Sequence, residues 1–289
     1  MGKKVAVLTD STASIPEPML KELDIRTVAY YIHRGQEVLR DLVTIQREEF
    51  LNWLITARVL PTTASPGPGD YFEAYESLVE EGHDEIVSIH MTSKGSGAYQ
   101  AAMVAQSMIK EKDPSVHIEV IDTHNVSLCQ GWMAIDAARA ALAGLCLEEV
   151  VAKVKSMVPV THMIQTADTL KYLYMGGRIG KATNLLGSLL NIKPLIGMED
   201  GEIVPLGVAR GRGHAYQAIA DKVEQALGKG RARIAYVHAG AKQDVERLKG
   251  LVEDKVDVVE SFVAELSPAL AVHSGPGTAG LCFLPEISS

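Results

Sequence analysis

Ser93 follows an apolar run, Glu85–His90, and precedes Lys94-Gly95-Ser96-Gly97, where glycine lets a ligand approach the main chain closely. A hydroxyl beside free backbone N–H groups at the start of a helix is a place where an anion can be held. The same position also suits a plain cap for a helix over 98–109, and the residues alone leave both readings open. Thr62 and Thr63 lie in the segment Pro61–Pro68, whose prolines stiffen it and can pre-position a hydroxyl; an ordinary loop leading to a helix has the same composition. His273 precedes Ser274-Gly275-Pro276-Gly277, so its imidazole stands beside a tight glycine loop and can face an anion. A lone histidine is more often structural, and His90, His124, His214 and His238 carry the same discount. Arg178 follows Gly176-Gly177, and Arg210 and Arg212 flank Gly211. Their planar forks suit a phosphate or carboxylate on a partner, or no more than a solvated surface.

Other chemistries lack their signatures. Gly95-Ser96-Gly97-Ala98-Tyr99-Gln100 has no third glycine of a dinucleotide fingerprint, and no Gly-Lys-Ser/Thr loop occurs. Lys94 stands where a nucleophile elbow on Ser96 requires glycine. An acyl or phosphoryl hydrolase built on Ser93 or Ser96 with His273 therefore stays an alternative without its usual frame. The carboxylates show no metal-ligand spacing, so no metal site and no cofactor is expected. Cys129, Cys146 and Cys282 are odd in number, scattered and set in apolar sequence, which reads as reduced, buried thiols of a cytoplasmic protein. A net charge of −8 argues against non-specific nucleic-acid binding, which needs a basic face. The start, MGKKVAVLTD, reads as a first strand and not a signal peptide, and no stable membrane insertion is expected because no apolar stretch is long enough to span a bilayer.

The elements that must hold these residues alternate in the first half. Strands are expected at Val5–Leu8, Ile25–Ile32, Glu85–His90 and Ile118–Ile121, and helices at Gln46–Ala57, Tyr71–Glu81, Ala98–Ile109, Val126–Leu142 and Leu147–Val158. Ser14-Ile15-Pro16-Glu17 reads as a helix start with Ser14 as N-cap, and Pro61–Asp70 as a loop. This grammar predicts a doubly wound, mostly parallel sheet whose polar loops gather at the strands' C-terminal ends, where open α/β sheets bind ligands. After Val158 the pattern changes. A strand at His162–Thr166, a short helix at Leu170–Met175 and a hairpin of Ile192–Gly197 with Glu202–Val208 come first. A helix at Ala215–Leu227, a strand at Arg233–Val237, a helix at Gln243–Val252 and a strand at Val256–Val263 follow. Ser267–His273 and the strand-like Leu281–Leu284 close the chain. The expected architecture is α/β in two domains, residues 1–158 with the parallel sheet and 159–289 with a mixed, partly antiparallel sheet. With 47% hydrophobic but only 5% aromatic residues, the cores are aliphatic, and ten methionines can fill them or adapt to a flexible apolar guest.

Six segments, in order along the whole chain, carry a resemblance. They are Asp10-Ser11-Thr12-Ala13, Pro61-Thr62-Thr63-Ala64-Ser65-Pro66, Ser93 through Gly97-Ala98-Tyr99-Gln100, Gly176-Gly177-Arg178-Ile179-Gly180, Arg210, and His273-Ser274-Gly275-Pro276-Gly277. Together they resemble the DegV family, and within it the fatty-acid-binding FakB subunits of bacterial fatty acid kinase. The resemblance implies an acyl tunnel between two α/β domains. It implies a carboxylate held by Thr63 (with Thr62 as the adjacent option), Ser93 and His273, with Asp10, Ser11, Gly95, Ser96, Gly97, Gly275 and Gly277 close by. It further implies presentation of the bound long-chain fatty acid to a separate ATP-dependent fatty acid kinase, contacted through Arg178, Arg210 and Arg212, for acyl phosphate formation and phospholipid synthesis, with no catalysis by this chain alone. A lipid sensor without a kinase partner is the related alternative. Members usually read Thr-Ser-Gln-Pro where this chain has Thr63-Ala64-Ser65-Pro66, and Ser-Ser-x-Leu-Ser-Gly-Thr-Tyr-Gln where it has Thr92-Ser93-Lys94-Gly95-Ser96-Gly97-Ala98-Tyr99-Gln100. Those departures bear on chain-length preference and leave Ser93 in place. The energetics agree with such a ligand: about 15 methylenes at ~0.8 kcal/mol each offer roughly 12 kcal/mol gross. Only a hydrogen-bonded head group can set the direction of the chain.

Overall fold

A computed structural model describes residues 5–186 and 191–286; the opening Met1–Lys4 lies outside the described residues. Four strands, β1 (Ala6–Asp10), β2 (Ile25–Val28), β6 (Glu85–His90) and β7 (His117–Asp122), form a fully parallel sheet in the order β2-β1-β6-β7. Short, wholly buried aliphatic strands such as Ala6-Val7-Leu8 need cover on both faces. The helices α1 (Glu17–Glu22), α3 (Pro68–Glu80), α4 (Ala98–Lys112), α5 (Leu128–Leu142) and α6 (Leu147–Met157) lie between and after these strands. α5 is buried along nearly its whole length, which its alanine-rich sequence permits.

A second sheet is small and antiparallel: β3 (Tyr31–Arg34) pairs with β4 (Glu37–Arg40) and with β5 (Thr62–Ala64), and α2 (Arg47–Thr56) lies between β4 and β5. The single strand expected at Ile25–Ile32 is thus two strands in two sheets. The chain turns at Ala29-Tyr30, where the Tyr30 N–H donates to Ser11 Oγ at 3.1 Å. The expected loop Pro61–Asp70 holds β5, in register with Ile32 opposite Thr63, and the first turn of α3. Ser14 is not the N-cap of α1 but ends a short 3-10 turn over Ser11–Ala13. It sits in the left-handed region at φ 54°, and its Oγ accepts from the Ser267 N–H at 3.0 Å; α1 starts after Pro16 instead.

The rest of the chain builds a six-stranded sheet, β10-β9-β8-β13-β11-β12, from β8 (His162–Thr166), β9 (Ile192–Glu199), β10 (Glu202–Arg210), β11 (Ala232–His238), β12 (Val258–Glu265) and β13 (Ala279–Pro285). Only β11 and β12 run parallel, and β9–β10 is the expected hairpin about Asp200-Gly201. Helices α7 (Lys171–Met175), α8 (Arg212–Leu227), α9 (Lys242–Glu253) and α10 (Pro268–Ser274) complete the chain. One hydrophobic cluster runs from Ala6 on β1 through α5 to Leu284 on β13, so the two large sheets share a core. Across that junction Arg233 stacks over Trp132, with its guanidinium carbon 4.5 Å from the ring centroid, and grips Asp136 with two hydrogen bonds of 2.9 and 2.7 Å. Cys129 and Cys282 are buried as expected, whereas Cys146, which begins the α6 turn, is exposed; all three are free.

Candidate ligand-binding site

The C-terminal end of β6 delivers Met91 through Gly97 into a cavity of about 610 Å³, whose far wall is the six-stranded sheet. Ser93 is half-buried in that lining, and its N–H donates to Asp122 Oδ2 at 3.1 Å, which fixes the loop and leaves the hydroxyl free. Ser93 does not cap α4. Ser96 Oγ accepts from the Ala98 N–H at 3.2 Å and also pairs with the Tyr30 hydroxyl at 2.6 Å. Of the two readings of Ser93, the helix cap is the one the structure removes.

His273 closes the other side. It lies in the last turn of α10, and its Nε2 is 2.8 Å from Thr63 Oγ1, so β5 and α10 bring together residues 210 positions apart. Its Nδ1 is buried without a hydrogen-bond partner and rests against Gly176, where any Cβ would overlap the ring. Burial first, and the nearby Arg178 charge second, hold the imidazole down to about 4, so it is neutral at pH 7. Gly275 has φ +76°, and its missing side chain leaves room for the Tyr172 ring. Gly277 likewise makes room for Asp168 and Arg212.

Arg178 lines the same cavity. It donates from Nη1 to the Gly176 carbonyl at 2.7 Å and from Nε to the Gly95 carbonyl at 3.4 Å, and so ties the two glycine loops together. Arg212 is half-buried and ion-paired to Asp168 and Asp244, each at 2.6 Å. Arg210 is exposed at the end of β10, outside the cavity lining. Thr63 is half-buried and Thr62, its neighbour on the strand, is exposed. Asp10 and Ser11 are buried and do not line the cavity.

Asp10 belongs to a sealed network. Its Oδ2 is 3.2 Å from His90 Nδ1, His90 Nε2 is 2.7 Å from Ser88 Oγ, and Tyr75 donates to that Oγ at 2.8 Å. The order Ser–His–Asp is that of a hydrolase triad. Ser88, His90 and Asp10 are each 0% exposed, so no substrate reaches them. At the cavity, by contrast, His273 has no hydrogen-bonded carboxylate among the described residues, and a neutral ring with so low a proton affinity is a weak general base.

Apolar side chains of the lining are Met163, Leu173, Ile196, Met198, Ile203, Leu266 and Leu270, and Gln100, Thr166 and Glu202 add polar ones. Thr92 was not singled out by sequence, yet its Oγ1 donates to the Gly201 carbonyl at 2.9 Å and ties the β6 loop to the β9–β10 turn. Gln165 and Ser127 line the cavity as well, and the sequence carries no pattern that marks them, because each is a polar residue beside apolar ones. A pocket with a polar end and a flexible aliphatic wall can bury a long apolar chain and hold an anionic or polar head. No helix among the described residues is long and apolar enough to cross a membrane.

Residues 4–286 match the family model described as "Uncharacterised protein, DegV family". A DegV domain-containing protein of Caldanaerobacter subterraneus is 30% identical over 282 residues, covering 97% of this chain and 99% of its own, and one of Streptomyces coelicolor is 32% identical, covering 97% and 98%. Among solved structures, a fatty-acid-binding DegV family protein from Thermus thermophilus superposes with a TM-score of 0.90 at 30% identity, covering 98% of this chain and 99% of its own. A stearic-acid-binding protein from Eubacterium ventriosum gives 0.87 at 25% identity, covering 98% of both chains. The motif order, the two large sheets and these matches over nearly the whole length agree, and the chain belongs to the DegV family.

Proposed function

We propose that this protein binds one long-chain fatty acid non-covalently, with its carboxylate at Ser93 and His273 and its acyl chain along the cavity wall. The observation that carries this reading is the cavity itself: the Ser93 hydroxyl and His273, which is steadied from behind by Thr63, border a largely apolar pocket of about 610 Å³, in the size range of small-molecule sites. The fatty acids bound by its Thermus and Eubacterium relatives support it. The ligand lies between two α/β domains, residues 1–158 and 159–289. Thr63 steadies the imidazole, and Thr62, exposed beside it, flanks the entrance. Neutral donors hold the head group, and Arg178 supplies the nearest positive charge. A carboxylate held this way, without a fixed salt bridge, stays nucleophilic. The protein does no chemistry alone; in the cytoplasm it presents the carboxylate to an ATP-dependent kinase that forms an acyl phosphate for phospholipid synthesis. Arg210, exposed outside the cavity, is the arginine best placed to meet that kinase, while Arg212 is occupied by two carboxylates.

Mass spectrometry of the organic extract of protein purified from bacterial cells tests the binding step, with about one fatty acid per chain expected. An extract free of fatty acid, together with no heat of binding for added oleate or palmitate, would overturn it.

A further inference from the structure

The cavity wall is not uniformly suited to a plain hydrocarbon chain, and Gln165 is its most deeply set amide. Gln165 is on β8, on the same face as Met163, directly opposite Ile196 on β9 and Gly280 on β13. It is 6% exposed, and its side-chain amide hydrogen-bonds to none of the described residues. Glycine stands opposite it: a Cβ at position 280 would meet the Ile164 carbonyl oxygen at 2.4 Å and Gln165 Cγ at 2.5 Å. A primary amide offers two donors and an acceptor with two lone pairs. The amide is open to the cavity, and methylenes laid across it would cover it without giving it a partner, which is costly. Besides the Thr166 and Ser274 hydroxyls, which line the cavity with no partner among the described residues, Ser127 is a further polar group. It lines the cavity, is 1% exposed, is held at φ 60°, and its Oγ has no partner.

We propose that the preferred ligand is a hydroxylated fatty acid, whose chain hydroxyl is hydrogen-bonded by the Gln165 amide. This rests on the fatty-acid reading above. A hydroxyl both donates and accepts, as an amide does, and it satisfies the amide without placing a second charge in an apolar wall. The carboxylate has its own partners in Ser93 and His273, so the amide is free for the chain.

The experiment compares stearate with 9-, 10- and 12-hydroxystearate by calorimetry on delipidated full-length protein, in the parent and in Gln165→Met, with Ser127→Ala as a second variant. The parent should bind at least one hydroxystearate tenfold or more tighter than stearate. Gln165→Met, similar in size and apolar, should bind stearate tighter than the parent does and lose the preference. Ser127→Ala should reduce the preference in the same direction without abolishing it. A parent that binds stearate as tightly as every hydroxystearate overturns the proposal, as does a preference that survives in Gln165→Met. Weaker stearate binding in Gln165→Met would place the amide at the carboxylate and overturn it too. Should Gln165→Met fail to fold, the parent's own ranking of the four acids decides. Binding of none of them would sink the fatty-acid reading itself, a result distinct from equal binding of all.

Discussion

Gly176 and Gly177 are adjacent, yet alanine at each should have different consequences. At Gly176 the backbone is ordinary, φ −78°, so alanine costs nothing in conformation, but its Cβ would overlap His273 Nδ1 and lie 2.9 Å from Cε1. Carbon contacts need about 3.5–4.0 Å, so the ring must retreat by roughly 1 Å. That displacement disturbs the 2.8 Å Thr63–His273 bond on the other ring nitrogen. Overpacking costs about 1–3 kcal/mol, and loss of that hydrogen bond would add about 0.5–1.5 kcal/mol. At Gly177 the reverse holds: φ is +68°, and nothing lies within 4 Å of a Cβ. Alanine there meets only the left-handed penalty of about 1–2 kcal/mol. Both variants should therefore melt below the parent, by several degrees. Only Gly176→Ala should weaken fatty-acid binding, about tenfold or more, read by calorimetry on delipidated protein. Parent-like binding by Gly176→Ala, or equal losses in the two variants, would refute the placement of the head group at His273.

Ser93→Ala should weaken binding of a fatty acid about tenfold with little change in Tm, because the hydroxyl has no protein partner to lose; unchanged affinity in calorimetry would move the carboxylate elsewhere. Two buried groups should oppose each other in acid. His273 titrates near 4 in the fold against about 6.5 unfolded, so its contribution is whole above pH 6.5 and is lost as pH falls toward 4, up to about 3 kcal/mol. Burial raises Asp41 to about 6, and its contribution is whole below 3.8 and is lost as pH rises through 6. In denaturant titrations of delipidated protein, Asp41→Asn should therefore gain stability more steeply from pH 4 to 6 than the parent, and His273→Gln less steeply; parallel profiles would contradict both assignments. Arg210→Glu should leave bound lipid unchanged and sharply reduce acyl phosphate formation with the cognate kinase, since a favourable contact becomes repulsive; loss of lipid instead would place Arg210 at the ligand.

Much of this molecule is legible where periodicity carries the signal. The strand Glu85–His90 has the bounds its apolar run implies, and the hairpin about Asp200-Gly201 follows from its turn residues. The small sheet was illegible: β4 is Glu37-Val38-Leu39-Arg40 with three exposed residues, and β5 is three residues long, so neither shows an apolar face. Pairing to β3 makes them strands, and pairing is a tertiary fact. The same limit applies at the site. Ser93 and His273 are each readable as residues beside glycine, but that Thr63 holds the imidazole depends on register with Ile32. Arg212 looked free because the carboxylates that occupy it, Asp168 and Asp244, are 44 and 32 positions away.

Three hydrogen bonds tie the helix that carries His273 to the opposite end of the chain. Ser267 at its start donates to Ser14 Oγ, Ala269 to Asp41 Oδ1, and His273 meets Thr63, across separations of 253, 228 and 210 residues. Contacts of such span are closed late, because loop entropy must be overcome before they contribute. During synthesis the anchor points Ser14, Asp41 and Thr63 therefore leave the ribosome long before the helix that needs them. Until then the β3–β5 sheet waits with an uncovered flank, so a stalled or truncated nascent chain exposes the surface on which the His273 helix later docks.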